Sequence, residues 1–224
     1  MDICPSILEF DASNYLLQIK RLSPYFKYFQ IDIADGVYVD NKTASLDEVI
    51  DAIKRTNPVE LKDITLDFHL MVRDYETEIK KLETINEKVK IKNVLVHFSV
   101  VNNFGFDVLK FSPFSVGIVL NPDESVENLK SSFNLEQIPS IQIMSVIPGA
   151  QGKPFMPETL NKIDQLRSLD YRSEIFLDGA VNSKTLPVIN EMKSKPDFVC
   201  PGSYLTKCPD NELKQRSDYL LKFA

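Results

Sequence analysis

Glu174-Ile175-Phe176-Leu177-Asp178-Gly179-Ala180 is a short apolar run that ends in a carboxylate and a glycine. Far upstream, Tyr28-Phe29-Gln30-Ile31-Asp32 ends the same way and is followed by Ala34-Asp35-Gly36. Each reads as a strand with an acid at its C-terminal end. Similar runs recur along the chain, and the spacing predicts strands over 2–8, 27–33, 64–70, 92–98, 115–120, 138–145, 173–178 and 197–200. Most are continuously apolar, as in Val116-Gly117-Ile118-Val119-Leu120, which is the mark of strands buried on both faces of a parallel sheet.

Amphipathic stretches fill the gaps. Ala12–Leu22 carries Tyr15, Leu16, Ile19 and Leu22 on one face, and Ser45–Arg55 opens with a Ser cap and Glu48 three residues on. Further helices are expected near 74–86, 104–110, 125–132, 156–168, 183–193 and 210–222. Eight strands in strict alternation with eight helices predict an α/β chain folded as one (β/α)8 TIM barrel over residues 1–224. The competing open sheet wants a glycine-rich turn after the first strand, and Leu8-Glu9-Phe10-Asp11-Ala12-Ser13 does not supply one.

The composition is that of an ordinary globular chain, 43% apolar and 26% charged. A net charge of −6 disfavours a nucleic-acid surface, which needs clustered Lys and Arg. Three cysteines without a C-x-x-C spacing indicate neither a disulfide framework nor a zinc knuckle, and free thiols suit a reducing compartment. No basic leader precedes Ile3-Cys4-Pro5-Ser6, and no apolar run reaches membrane-spanning length. The expectation is a cytoplasmic protein with no membrane and no nucleic-acid partner; homo-oligomerisation stays open.

In such a barrel the site lies at the C-terminal ends of the strands. The polar residues there are Ser6, Gln30, Asp32, Asp35, His69, His97, Asn121, Ser145, Asp178, Gly202 and Ser203. Asp32 inside an apolar run needs a partner or a metal. Two carboxylates facing each other across a pocket can take a proton from one face of a carbon and return one to the other. With His69, Asp32 and Asp178 make a mixed nitrogen and oxygen set for a divalent metal. His97 reads as a core histidine. Turns at Pro148-Gly149-Ala150-Gln151-Gly152, Gly179-Ala180 and Gly202-Ser203 offer backbone N–H groups to an anion.

These residues together resemble one family, ribulose-phosphate 3-epimerase, nearly end to end. Pro5-Ser6-Ile7-Leu8 is similar to its opening P-S-I-L, and Gln30-Ile31-Asp32-Ile33-Ala34-Asp35-Gly36 to its H-x-D-x-M-D-G. Asp67-Phe68-His69-Leu70-Met71-Val72 resembles D-x-H-L-M-V, and Leu120-Asn121-Pro122 resembles L-N-P. Met144-Ser145-Val146-Ile147-Pro148-Gly149 resembles M-x-V-x-P-G, Leu177-Asp178-Gly179 resembles V-D-G-G, and Gly202-Ser203 resembles A-G-S.

The resemblance implies a divalent metal (Zn, Fe, Mn or Co) held by two histidines and two aspartates that are also the acid–base pair. Carried over, Asp32 and Asp178 are ligands and proton carriers, and His69 is a ligand. Ser6 touches the sugar, and Met71 and Met144 pack near a planar intermediate. The loop from Gly149, with the backbone at Gly152, Gly179, Ala180, Gly202 and Ser203, holds the phosphate. The implied reaction is epimerisation at C3 of a phosphorylated ketose, D-ribulose 5-phosphate to D-xylulose 5-phosphate. Alternatives are another ketose phosphate, such as a hexulose 6-phosphate, or phosphosugar binding without catalysis. A related decarboxylase and synthase group resembles an Asp-x-Lys-x-x-Asp signature, and no Lys lies between Asp32 and Asp35.

The chain departs from the family pattern in places. Gln30 stands where the family has its first metal histidine, which weakens metal binding. Ala34 replaces a Met and leaves room for a longer ketose. Gln151 and Ala180 replace glycines, with a strain of about 1–2 kcal/mol at any that must be left-handed. Lys153 replaces a Gln and adds a charge near the phosphate.

Overall fold

The computed structural model describes residues 1–101 and 112–223. Its nine strands form one all-parallel sheet: β1 (Asp2–Ile3), β2 (Ser6–Ile7), β3 (Tyr28–Ala34), β4 (Thr65–Met71), β5 (Lys90–His97), β6 (Ser115–Leu120), β7 (Ser140–Met144), β8 (Glu174–Asp178) and β9 (Phe198–Cys200). The expected unbroken first strand is broken at Cys4-Pro5, because Pro5 has no N–H for the ladder. The chain still runs on as one stave. Cys4 N–H donates to Val199 O (3.0 Å), Ser6 N–H to Pro201 O (3.2 Å), and Gln30 N–H to Pro5 O (2.9 Å). β1 thus pairs with β9 and β2 with β3, and the sheet closes on itself as the expected (β/α)8 barrel.

Strand alternation sorts the side chains. Phe29, Ile31 and Ile33 of β3, with Leu66, Phe68 and Leu70 of β4, join the large core between sheet and helices. The alternate residues face the barrel axis. Near its N-terminal end, Phe176 and Phe198 stack at 4.6 Å with Tyr28 edge-on, beneath Cys4 and Cys200. Asp67 and Asn93 lie beside them. Nearer the C-terminal end, Leu95, Val119, Met144 and Val146 form a small apolar cluster. All three cysteines are free and buried.

The helices are α1 (Ala12–Leu22), α2 (Leu46–Arg55), α3 (Pro58–Leu61), α4 (Tyr75–Glu83), α5 (Val126–Ser132), α6 (Asn161–Ser168), α7 (Leu186–Asn190), α8 (Ser203–Thr206) and α9 (Asp210–Leu221). The Ser45–Glu48 capping box forms as the sequence predicts: Glu48 Oε2 accepts from Ser45 N–H and Ser45 Oγ accepts from Glu48 N–H. Asp11 and Asp74 cap α1 and α4. The helix expected over 156–168 opens as a 3-10 turn at Pro157–Leu160, and only then becomes α6. The helix expected over 183–193 shortens to α7. There the Asn182 side chain accepts from the backbone N–H of Lys184 and Thr185, which holds that stretch in a turn. The short α3 and α8 are additional to the reading of the sequence, and the helix expected over 104–110 lies outside the described residues. No helix among the described residues is long and apolar enough to cross a membrane.

Candidate active site

Register brings the polar strand ends together. Asp32 of β3 is the ladder neighbour of His69 of β4, and Asp178 of β8 neighbours Met144 and Cys200. Hydrogen bonds from α1 and from the end of β7 fix these ends. Tyr15 of α1 donates its hydroxyl to Asp32 O at 2.7 Å, and Ser145 binds Asp178 O through both its N–H (2.7 Å) and its hydroxyl (3.0 Å).

The two carboxylates come from strands far apart in sequence and meet at one imidazole. His69 Nδ1 lies 3.2 Å from Asp32 Oδ1 and 3.6 Å from Asp178 Oδ2. All three residues are buried, and one potential ligand atom from each lies within 4.8 Å of the others. Gln30 is fully buried beneath them. Its Nε2 donates to Asp32 Oδ1 (3.0 Å) and Asp178 Oδ2 (2.9 Å), and its Oε1 is turned 3.7 Å from Cys200 Sγ. An amide nitrogen offers no lone pair to a cation. To be the expected ligand, Gln30 has to turn its amide over and leave Cys200.

Two further residues join this network. Gln142, an inward residue of β7, donates Nε2 to Asp178 Oδ2 at 3.3 Å. Its spacing of two from Met144 was a usable signal. His97, read from sequence as a core residue, lies with its Nε2 2.9 Å from His69 Nε2. Burial first, and the His69 ring second, hold His97 well below the usual histidine range. Burial, followed by the charge of Asp32, pushes Asp178 up to about 7.

Above the carboxylates lies a cavity of about 730 Å³. Asp32, His69, Asp178, Met71, Met144 and Ser6 line it, as do Gly149, Gly152, Gly179, Ala180, Gly202 and Ser203 in its rim. Of the residues singled out from sequence for the metal and substrate, Gln30 alone stays below the lining. Ala34 is buried in β3, donates its N–H to Thr43 Oγ1, and does not line the cavity. The room it was expected to give a longer ketose is therefore absent there.

The rim is tight. A Cβ on Gly202 would stand 2.9 Å from Ser6 Oγ and 3.1 Å from Gln151 Nε2, an amide nitrogen that has no partner among the described residues. Ala180 is left-handed at φ 51°, because Asn182 Nδ2 and Thr185 Oγ1 both donate to its carbonyl at 2.7 Å. Gln151 is not left-handed, so of the two replaced glycines only Ala180 carries the strain. Lys153 and Lys184 stand at the cavity edge.

The model of the ribulose-phosphate 3 epimerase family matches residues 2–205. The chain belongs to that family. A ribulose-phosphate 3-epimerase of Helicobacter pylori (strain J99) is 26% identical over 219 residues, covering 95% of this chain and 94% of the relative. That of Synechocystis sp. is 30% identical over 168 residues, covering 75% and 70%. The fold is shared more widely. The chain superposes on a 3-hexulose-6-phosphate synthase from Salmonella typhimurium with a TM-score of 0.64 at 15% identity, covering both chains fully. It superposes on the tryptophan synthase A-subunit of Pyrococcus furiosus with a TM-score of 0.62 at 16% identity, covering 99% and 98%.

Membership makes this an enzyme of the epimerase class. The family's divalent metal fits the donor set of this epimerase. Two carboxylate oxygens and an imidazole nitrogen converge in a buried spot, a mixed set suited to a first-row divalent ion.

Proposed function

We propose that this enzyme epimerises C3 of a phosphorylated ketose, converting D-ribulose 5-phosphate to D-xylulose 5-phosphate and back. The convergence of Asp32 Oδ1 and Asp178 Oδ2 on His69 Nδ1, at the floor of a cavity rimmed by glycine loops, carries this reading. Asp32, His69 and Asp178 would hold the divalent ion, which supplies polarisation of the substrate carbonyl and stabilises negative charge beside it. One aspartate takes the C3 proton from its face of the carbon, and the other delivers a proton to the opposite face. Which one acts as base depends on the direction of the reaction.

Met71 and Met144 exclude water from the planar intermediate, and their unbranched side chains adapt to a carbon that changes from tetrahedral to flat. The Ser6 hydroxyl lies beside Gly202 of the glycine rim and would bind the sugar chain. The phosphate would lie among Gly152, Gly179, Ala180, Gly202 and Ser203, far enough from C3 to orient the substrate without joining the chemistry.

The test is proton exchange. In D₂O, protein loaded in turn with Mn²⁺, Fe²⁺, Co²⁺ or Zn²⁺ should wash out the C3–H signal of ribulose 5-phosphate. Asp32→Asn and Asp178→Asn should each lower the rate by roughly 10²–10⁴-fold, the usual worth of a positioned acid or base. Absence of exchange with all four ions would overturn the assignment.

A further inference from the structure

We infer that Gln30 and Gln142 are positioning residues, two carboxamides that hold the working carboxylates from beneath. The inference rests on the reading of Asp32 and Asp178 as the acid–base pair and adds the device that orients them. Gln30 Nε2 gives one hydrogen to each acid, to Asp32 Oδ1 at 3.0 Å and to Asp178 Oδ2 at 2.9 Å. Gln142 Nε2 adds a second amide contact to Asp178 Oδ2 at 3.3 Å. The two oxygens gripped this way are also the two that face His69 Nδ1. A carboxylate held at one oxygen cannot swing about its terminal bond, so its other oxygen stays aimed at one face of the reacting carbon.

The surroundings decide which end of each amide meets the acids. Carboxylate oxygens accept, so an amide oxygen set between two of them would bring lone pairs against lone pairs. Cys200 Sγ, 3.7 Å from Gln30 Oε1, offers its weak hydrogen to the end that points away. Gln142 Nε2 also lies 3.5 Å from Met144 Sδ, which ties a residue of the cavity wall to the same cradle.

Packing does not account for either glutamine. Both are fully buried inside the barrel, and neither lines the cavity, so neither touches the substrate. Gln142 Oε1 is buried with no partner among the described residues, an unfavourable arrangement that a leucine there would avoid. What the glutamine supplies and a leucine cannot is a donor to Asp178.

The contact pattern makes an unequal prediction. In the metal-free, substrate-free protein, Asp178→Asn should move the side-chain ¹⁵N–¹H₂ signals of both Gln30 and Gln142. Asp32→Asn should move those of Gln30 and leave Gln142 in place. Gln30→Met and Gln142→Leu are similar in size and lack the donor. At saturating Mn²⁺ each should lower kcat for ribulose 5-phosphate by roughly 10–100-fold, the usual effect of losing a partner behind an active group, with KM unchanged. Gln142→Leu should do so at an unchanged or higher urea midpoint, whereas loss of a purely structural glutamine would lower it. Wild-type kcat in Gln142→Leu, a rise in KM in place of the fall in kcat, or Gln142 signals that ignore Asp178→Asn would overturn the proposal. The spectra are read without metal or substrate. Failure of C3 exchange in the wild type would therefore sink the functional reading, while the signal pattern still judges the two contacts.

Discussion

At the scale of single residues, Ala180 shows how a site can hold a side chain in an unfavourable place. Two donors pull on its carbonyl and fix φ at 51°, a region that costs an L-residue about 1–2 kcal/mol. Glycine avoids that cost and gives back about 0.5–1 kcal/mol in unfolded-chain entropy. Ala180→Gly should therefore stabilise the protein by about 0.5–1 kcal/mol, read as a higher urea midpoint at unchanged slope; a lower midpoint would mean that the methyl packs favourably. The strain was visible in the sequence only through the family's glycine at that position. Asp32 and Asp178 were legible without any family, because a carboxylate at the end of an apolar run needs an explanation. His97 was not. A histidine among valines and leucines reads as packing until the 2.9 Å contact to His69 is seen. Likewise the letter at position 30 gives the residue type, whereas which end of the amide meets the carboxylates depends on Cys200, 170 residues away.

At the scale of elements, the most informative junction is between β4 and β5. The ladder slips between Leu66 and Phe68, and the stray Asn93 N–H is taken by Asp67 Oδ1 at 2.8 Å. Tyr28 Oη and Asn93 Nδ2 serve the other oxygen. A side chain thus completes the sheet. Burial pushes Asp67 up to about 7, against roughly 3.9 in an unfolded chain. A folded value above the unfolded one favours the folded state below pH ~4, and that advantage is lost as pH rises towards 7. Asp67→Asn should remove this slope, on the order of a few kcal/mol across that window, in denaturation midpoints from pH 4 to 8. A variant whose midpoints run parallel to wild type would show that Asp67 stays charged. The slip could not be read from sequence, since Leu66-Asp67-Phe68 looks like any strand interior. The helices were more legible: the Ser45 and Glu48 box marked the start of α2, whereas the Asn182 turn that shortens α7 was hidden in an ordinary apolar pattern.

At the scale of the whole molecule, charge and closure matter most. The chain carries −6 overall, yet Lys153 and Lys184 stand at the cavity edge, so an anion meets locally favourable charge on an unfavourable body. The double variant Lys153→Ala, Lys184→Ala should raise KM for the phosphorylated ketose several-fold at low salt and less at 0.15 M, with kcat unchanged. An identical KM at low salt would remove both lysines from the account. The alternation that foretold the barrel did not foretell how it shuts, because pairing between residues 2–3 and 198–199 leaves no local trace. That closure has a consequence for synthesis. Ser6 and Gly202 stand side by side in the rim, so the substrate pocket needs a residue from each end of the sequence. A nascent chain still lacking β9 has both aspartates but an open rim. Activity should appear on the ribosome only once the last stave has left the exit tunnel, with no partly active precursor before it.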